Sequence, residues 1–352
     1  MTCLVIGAGP TGLTAALQLR ALGVACRIVE RRTAPSDLSR AIGIMPTSIK
    51  ALTPLGAGDA IEREAMTLRK IAVSRRGQSL VQIEAPQNSR ETLMGLPQNR
   101  TEEILRDALQ DLGSAVEYGL AVNEVSTDEI CAQIQFSDGT SAQYDWVIAA
   151  DGVQSATRKQ LGIAYPGFDL PGDWAIADVD VAGAFDPEKA QLDIQGDDNR
   201  LSMILPMEPR RARIVSSTSD ALKGLPLAID IAAIRRQATF QISVRQATSY
   251  QFGRVLLAGD AAHCHSPMGG KGMNLGIADA IAAAQAVASG DVDGYNAARH
   301  KVGKRVLNTT EMMRRMVLSN NWMAMGLAGG VGHLVSHLPM AQRWFLANLT
   351  RL

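Results

Sequence analysis

The chain has 352 residues, of which 46% are hydrophobic and 20% are charged. It is therefore an ordinary globular sequence, too long for one small core, and two domains are expected. Its 35 basic and 35 acidic residues leave no net charge, which disfavours nucleic acid or an anionic membrane surface as a partner and favours a small ligand.

The four cysteines are far apart and have no metal-ligand spacing, so we predict a reduced, cytoplasmic protein with no metal site. The chain enters an apolar strand without a charged leader, so no signal peptide is expected. The weakly apolar run 323–335 is about thirteen residues long, too short to cross a bilayer of roughly 30 Å, and no transmembrane segment is predicted.

The first 30 residues predict a strand, a glycine-rich loop, a helix and a second strand. In that loop Gly7 makes the tight turn, Gly9 lets the backbone approach a pyrophosphate, and Gly12 lets the helix pack on the strand. Glu30 ends the second strand and can accept a hydrogen bond from a ribose hydroxyl. An acid there fits the adenosine of FAD or NAD but not that of NADP.

The next segments predict a helix over 46–55 that closes at Gly56 and a β-hairpin of strands 71–74 and 80–83. A further helix is expected to begin near Thr101, with Thr101 as its N-cap. Strands are expected at 116–125, 130–136 and 144–150. The last of these ends in Asp151-Gly152, where the carboxylate could simply cap a helix that starts near Ser155.

From 163 to 245 the character changes to alternating patches at 177–181, 191–195, 201–205 and 211–215, which predict a mixed or antiparallel sheet. Such a sheet can form one wall of a pocket. Its polar side chains are candidates for the inner face, although the pattern favours a solvated outer position for each of them: Asp193, Gln195, Arg200 and Arg213.

Residues 255–258 predict a buried strand that ends abruptly at Gly259-Asp260, and a glycine-rich loop after Pro267 opens onto a helix. A helix N-terminus suits an anionic group. A carboxylate on the strand suits the hydroxyls of a sugar-like chain. His263 and His265 are two apart and are interpreted as structural, and Cys264 is interpreted as a buried thiol.

The C-terminal part predicts a charged helical segment over 292–314 and a tail, 316–352, rich in Met and Leu. Such a tail is typical of core or of a helix-packing surface, with a membrane-surface role as the alternative. No thioredoxin-like domain is expected after it.

Together, the segments 4–30, 145–163 and 254–280 resemble those of the FAD-dependent aromatic hydroxylases, the single-component flavoprotein monooxygenases similar to p-hydroxybenzoate hydroxylase. The resemblance implies that Asp260 holds the ribityl chain of FAD and that Pro267 lines the substrate side. It also implies that Asp151 and Arg158 lie near the pyrophosphate and are linked to NAD(P)H use. The cofactor-binding residues inferred from the loop pattern and the resemblance are Gly7, Gly9, Gly12, Glu30, Arg31, Arg40, Gln98, Asp151, Arg158, Asp260, Gly270, Gly272, Met273 and Asn274.

The expected fold class is α/β, with a Rossmann-like FAD-binding domain (1–70, 97–162 and 251–290), an inserted mixed or antiparallel β-sheet substrate domain (71–96 and 163–250) and C-terminal helices (291–352). The expected function is hydroxylation or epoxidation of an aromatic or polycyclic small molecule with NADH or NADPH and O2, through a flavin hydroperoxide. No catalytic residue is identified; the pocket candidates are Pro267, Arg200 and Arg213. A homodimer is possible.

Three alternatives stay open. An FAD-dependent reductase fits the same motifs. A halogenase is less favoured because the WxWxIP pattern is absent and Trp174 stands alone. A non-enzymatic FAD-binding scaffold would use the apolar tail as its interaction surface.

Overall fold

The computed structural model describes residues 1–36, 41–86, 92–195, 200–223, 229–317 and 342. The predictions for Arg40 and for the apolar tail after residue 317 lie outside these residues. Among the described helices, none combines the length and the apolar character that crossing a bilayer requires.

The helices have the following bounds: α1 Pro10–Ala21, α2 Pro46–Leu52, α3 Gly58–Glu64, α4 Gln98–Asp111, α5 Ala156–Gln160, α6 Gly272–Ser289 and α7 Val292–Val317. The strands have the following bounds: β1 Thr2–Ile6, β2 Ala25–Glu30, β3 Gly43–Ile44, β4 Met66–Leu68, β5 Lys70–Arg75, β6 Gln78–Glu84, β7 Leu93–Gly95, β8 Val116–Tyr118, β9 Val122–Thr127, β10 Ala132–Phe136, β11 Ser141–Tyr144, β12 Trp146–Ala149, β13 Gly167–Asp169, β14 Trp174–Ala182, β15 Lys189–Gln195, β16 Arg200–Glu208, β17 Arg211–Ser216, β18 Asp230–Phe240, β19 Ser243–Gln246, β20 Gln251–Phe252, β21 Val255–Leu257 and β22 His263–Cys264.

A six-stranded sheet in the order β20-β21-β12-β1-β2-β8 forms the first layer. All its neighbouring strands are parallel except the edge pair β20 and β21. Strand β12 is buried along its whole length, as expected for a parallel strand covered on both faces. Helices α1 and α6 pack against each other over this sheet, so the predicted strand–loop–helix–strand unit is confirmed.

A second, seven-stranded sheet has the order β18-β14-β17-β16-β15-β5-β6. Its pairs are antiparallel except β15 with β5, which run parallel. The prediction of a mixed sheet is therefore confirmed, and so is the early hairpin, whose turn has left-handed residues Arg76 (φ 50°) and Gly77 (φ 77°). Because β5 pairs with β15, the hairpin extends this sheet.

Some predicted boundaries were wrong. Helix α4 begins at Gln98 after an N-cap at Pro97, and the Thr101 hydroxyl donates to the Pro97 carbonyl from inside the first turn. The fixed φ of proline already suits a helix start. The prediction took Thr101 as the N-cap because threonine is a common N-cap residue, and it therefore placed the helix start too late. The predicted strand 144–150 is two strands, β11 and β12, on either side of Asp145, and 116–125 is likewise divided into β8 and β9.

Candidate functional site

The carboxyl ends of four neighbouring parallel strands meet at one edge of the six-stranded sheet. The backbone N–H of Gly7 donates to Val29 O (2.8 Å). On the other side of β1, Ala150 N donates to Ile6 O (2.8 Å), and Ala258 N donates to Ala149 O (3.0 Å). The residues that follow β1, β2, β12 and β21 therefore lie side by side, where α/β sheets bind ligands.

The three glycines of the first loop have different neighbours. Gly7 has φ +100°, and a Cβ there would lie 2.5 Å from Ala150 O. A Cβ on Gly12 would lie 1.8 Å from the carbonyl oxygen of Gly7. At Gly9 no described heavy atom comes within 4 Å of the Cβ position. The protein itself thus requires the first and third glycines, whereas the space at Gly9 is open to a ligand.

The Glu30 carboxylate at this edge is buried and accepts several hydrogen bonds. Only 6% of the residue is exposed, and its carboxylate accepts from Ala8 N (2.9 Å) and from the backbone and Nε of Arg32 (both 3.0 Å). Burial alone would raise the pKa of Glu30, but the Arg32 guanidinium and these N–H groups hold it below its usual value. The predicted Arg31 is exposed. The sequence analysis did not identify Arg32 as the partner of Glu30.

Asp151 combines the two roles that the sequence left open. Its Oδ2 accepts from Thr157 N (3.1 Å), while Ser155 Oγ caps α5 by accepting from Arg158 N (2.9 Å). Asp151 Oδ1 is buried and has no hydrogen-bond partner in the described parts of the chain. One oxygen therefore supports the helix start, and the other can accept a hydrogen bond from a ligand.

Arg158 joins the segments that follow β12 and β21. Its Nη1 donates to Ala261 O (2.8 Å), its Nη2 donates to Val153 O (3.0 Å), and its guanidinium lies 3.7 Å from the centroid of the Tyr165 ring. The Tyr165 hydroxyl in turn donates to Asp260 O (2.9 Å). With the residue only 3% exposed, Arg158 fixes the backbone beside Asp260.

The turn that carries Asp260 packs closely on α1. Gly259 has φ +62°, and a Cβ there would lie 2.5 Å from the Thr11 hydroxyl oxygen. A Cβ on Gly276 of α6 would lie 2.3 Å from the same atom. Both glycines allow α1, α6 and the turn to meet, and Asp260 is exposed at the sheet edge.

Asp279 lies behind this turn and is fully buried. Its Oδ2 accepts from Gly259 N (3.1 Å) and lies 2.5 Å from His263 Nε2, while Oδ1 accepts from Arg299 Nε (2.6 Å). Burial opposes the charge, but His263 and Arg299 keep the pKa of Asp279 below its usual value. Sequence reasoning missed Asp279. The available signal was that it is the one charged residue in the sequence of α6.

The start of α6 is tied to the strand β3. The fully buried Asn274 side chain accepts from Met45 N (2.8 Å) and donates to the carbonyl oxygens of Gly43 and Gly270 (both 3.0 Å). These contacts occupy its amide oxygen and nitrogen, so a ligand at this end meets the helix backbone. Gly270 is exposed, Gly272 and Met273 are half-buried, and Lys271 beside them is buried.

Gln98 bridges two segments at the start of α4. Its Oε1 accepts from Ala41 N (3.2 Å), and its Nε2 donates to Glu102 (2.9 Å), whose pKa is raised by burial. The glutamine is thus anchored beside the segment that follows Arg40.

One face of the seven-stranded sheet packs toward the loop that carries Pro267. Trp174, Ile176 and Val215 share an apolar cluster with Met268, and two partly buried side chains of α7, Leu307 and Met313, pack against it. Aromatic and aliphatic side chains of this kind line sites for apolar small molecules.

Arg213 lies on this face, and its expected outer, solvated position was wrong. It is fully buried, and it donates to Asp178 directly opposite it through Nε (2.6 Å) and Nη2 (2.8 Å). Asp193 is also buried and accepts from the Ser74 hydroxyl. Pairing with Asp178 on the neighbouring strand compensates the buried charge of Arg213, and such a pairing is not visible in a local pattern. Arg200 is exposed and Gln195 is half-buried.

The remaining histidine and cysteine of this segment have local partners. His265 Nδ1 lies 2.8 Å from Ser266 O, and burial lowers the pKa of His265 to about 4. The Tyr165 hydroxyl also contacts Cys264 Sγ (3.0 Å), and burial raises the pKa of that thiol. Within the described ranges, no group of three or more His, Cys, Asp or Glu residues is placed to hold a metal ion.

The sequence matches the family described as "FAD binding domain" over residues 1–310. It is 30% identical over 375 aligned positions to the 6-methylpretetramide 4-monooxygenase of Streptomyces rimosus, covering 97% of this chain and 66% of that protein. It is 29% identical to the rifampicin monooxygenase of Streptomyces venezuelae, covering 87% and 70%. The chain thus spans about two thirds of the length of these relatives.

The fold is similar to the crystal structure of p-nitrophenol 4-monooxygenase PnpA from Pseudomonas putida DLL-E4. The TM-score is 0.87 at 22% identity, and the superposition covers 100% of both chains.

Proposed function

Because the chain belongs to the FAD binding domain family, among the FAD-dependent aromatic hydroxylases, we propose that it is a monooxygenase that uses FAD, NADH or NADPH, and O2. Its substrate in this proposal is an aromatic or polycyclic small molecule, which it hydroxylates or epoxidises. The observation that carries the proposal is the single sheet edge at which Glu30 ends β2 and at which Asp151 and Asp260 follow β12 and β21.

The polar groups at this edge fit a flavin dinucleotide in order. In this proposal Glu30 accepts from the adenosine ribose, and the pyrophosphate occupies the open space at Gly9 in front of the N-terminus of α1. Asp151 Oδ1, which has no partner among the described residues, would accept a further hydrogen bond from the ligand. The exposed carboxylate of Asp260 would accept from the ribityl hydroxyls.

FAD, when bound, supplies the redox and oxygen chemistry. The chain has three other tasks. The backbone N–H groups at Gly272–Asn274, at the positive end of α6, would stabilise negative charge on the reduced ring. The apolar face around Trp174 and Met268 would exclude water. The same face, with Pro267, would orient the substrate, and Arg200 and Arg213 stay candidates for contact with it.

Purification and a substrate screen test this function. We expect a yellow protein that releases FAD on denaturation and oxidises NAD(P)H faster when a phenol, an aromatic acid or a polycyclic phenol is added. Oxygen uptake should match NAD(P)H consumption, and the product should gain one oxygen atom. NAD(P)H oxidation with substrate reduction and no oxygen uptake would indicate a reductase. Absence of FAD would overturn the proposal.

The two relatives at 30% and 29% identity are named for 6-methylpretetramide and rifampicin, whereas the structural neighbour at 22% identity is named for p-nitrophenol. The higher identity of the first two favours the larger substrates. We therefore propose that polycyclic compounds stimulate NAD(P)H oxidation more than single-ring phenols do.

We also propose the division into an FAD-binding domain, a sheet domain and a C-terminal region, and a cytoplasmic location. The proposed assembly is a homodimer, which light scattering on the purified protein would detect.

A further inference from the structure

A chain of buried polar contacts connects α7 to the turn that carries Asp260. Arg299 of α7 donates through Nε to Asp279 Oδ1 (2.6 Å), and its Nη2 lies 2.6 Å from the same oxygen. The other oxygen of Asp279 accepts from the backbone N–H of Gly259 (3.1 Å), the residue directly before Asp260. Only Asp279 and Gly259 thus stand between the Arg299 side chain and Asp260 at the sheet edge.

The charge of Asp279 is what makes these contacts strong. The side chain is fully buried, and a buried carboxylate is tolerated only when cations and N–H donors surround it. Arg299 and His263 approach it from two sides, and Gly259 donates from the third. Hydrogen bonds to an ionised acceptor are stronger than those between neutral groups, so Asp279 holds the Gly259 N–H firmly.

The turn needs such a restraint because its backbone is unusual. Gly259 is in the left-handed region (φ +62°), which the Asp279 hydrogen bond helps to maintain. Helix α7 is itself fixed to the same strand end: the Tyr295 hydroxyl donates to Leu257 O (2.6 Å), and Asn296 Oδ1 accepts from Tyr250 N (2.9 Å). Arg299 therefore projects from a helix whose position relative to β21 is already set.

We propose that Asp279 and Arg299 are positioning residues for the cofactor: they hold the Gly259 turn so that the Asp260 carboxylate faces the FAD. Neither residue lies at the sheet edge, and both act through the backbone of the turn. FAD affinity thereby depends on a charge pair between α6 and α7. The inference rests on the proposed function in one respect, that Asp260 contacts FAD.

The test measures FAD binding to apoprotein, by quenching of FAD fluorescence, for Asp279→Asn, Arg299→Met and Asp260→Ala and for the double variants. We expect Asp279→Asn and Arg299→Met each to weaken FAD binding by about tenfold to a hundredfold. In the Asp260→Ala background the same changes should weaken FAD binding by less than about threefold, because the carboxylate that they position is gone. Arg299→Lys should recover most of the affinity.

Arg315→Met is the matched control, since Arg315 is on the same helix and pairs with Glu311 while its side chain is 71% exposed. It should leave FAD affinity unchanged. Melting of each apoprotein separates folding from positioning. If Asp279→Asn lowers the melting temperature but leaves FAD affinity within about twofold, or if its effect multiplies fully with that of Asp260→Ala, the positioning role is wrong.

Should Asp279→Asn fail to fold, Arg299→Met and Arg299→Lys carry the same test from α7. Failure of this inference is distinguishable from failure of the proposed function. In the first case the wild-type protein binds FAD and the charge pair does not matter to it; in the second the wild-type protein binds no FAD.

Discussion

The edge of the six-stranded sheet and the interior of the seven-stranded sheet are specified in different ways. At the edge, backbone atoms approach one another so closely that a single methyl group has no room, as at Gly12. In the seven-stranded sheet, charged side chains from separate strands neutralise each other, as Arg213 and Asp178 do across 35 positions of sequence. The first region depends on glycines, which have no side chain. The second depends on side chains of opposite charge that pair with each other.

This difference determines what each region can tolerate. A backbone contact cannot relax without moving a whole element, because the interior is close-packed. A buried ion pair can be replaced as a unit by apolar residues at little cost, whereas removal of one partner leaves an uncompensated charge. Substitutions in the two regions should therefore differ in whether a second change can rescue the first.

The largest expected effect is that of Gly12→Ala. The added Cβ would lie 1.8 Å from Gly7 O, so α1 must shift away from β1, and we expect a loss of about 4 kcal/mol or more in the free energy of unfolding. Gly9→Ala is the matched control, with no described atom near its Cβ position. It should keep the apoprotein stable and weaken FAD binding. Denaturant unfolding and FAD titration separate the two results, and equal stability losses would contradict the distinction.

The next effect concerns the buried pair. Asp178→Ala leaves Arg213 buried without its bidentate partner, and we expect a loss of about 3–5 kcal/mol in the free energy of unfolding. The double variant Asp178→Leu with Arg213→Met removes both charges and should recover most of that loss. Urea unfolding of both proteins measures the difference. A double variant as unstable as Asp178→Ala would show that the pair contributes more than charge compensation.

Glu30→Gln should have a moderate effect that depends on pH. Because the folded-state pKa of Glu30 is lowered, its contribution is fully present above the unfolded pKa of about 4.3 and is lost as pH falls through the lower folded value. At neutral pH the variant should lose about 1–2 kcal/mol of stability. As pH falls below that unfolded value and through the lower folded one, the stability of the variant should converge with that of the wild type. Unfolding measured from pH 3 to 7 checks this, and parallel pH curves would contradict it.

The sequence predicted the first region better than the second, because the first is specified by local spacing and the second by pairing between distant strands. Gly7, Gly9, Gly12 and Glu30 lie within one short unit, where spacing along the chain fixes spacing in the structure. The alternation of the later strands predicted the mixed sheet, but not the partner of each strand. Burial of Arg213 depends on Asp178 in another strand, and no local pattern shows that register.

The same limit explains what was missed at the site itself. Asp279 and Arg299 are 20 positions apart on different helices, and they meet only because α7 packs across α6. Asn274 and Asp151 were predicted by resemblance. Only the structure shows that backbone groups near β3 occupy the Asn274 side chain, and that one oxygen of Asp151 accepts from Thr157 N at the start of α5 while the other lacks a partner in the described part of the chain.

The smallest expected effect tests whether burial is the deciding variable. Arg27 and Glu117 form a second bidentate pair, with N–O distances of 2.6 and 2.7 Å, nearly the same as the 2.6 and 2.8 Å of Arg213 and Asp178. The Arg27 and Glu117 side chains are 32% and 45% exposed, so water already solvates both charges. Glu117→Gln should therefore lower the free energy of unfolding by less than about 1 kcal/mol, and by less still at high salt.

Asp178→Asn is the matched substitution in the buried pair and should lower the free energy of unfolding several times more. If urea unfolding gives equal losses for the two variants, geometry rather than burial sets the strength of these pairs, and the contrast between the sheet interior and its surroundings fails.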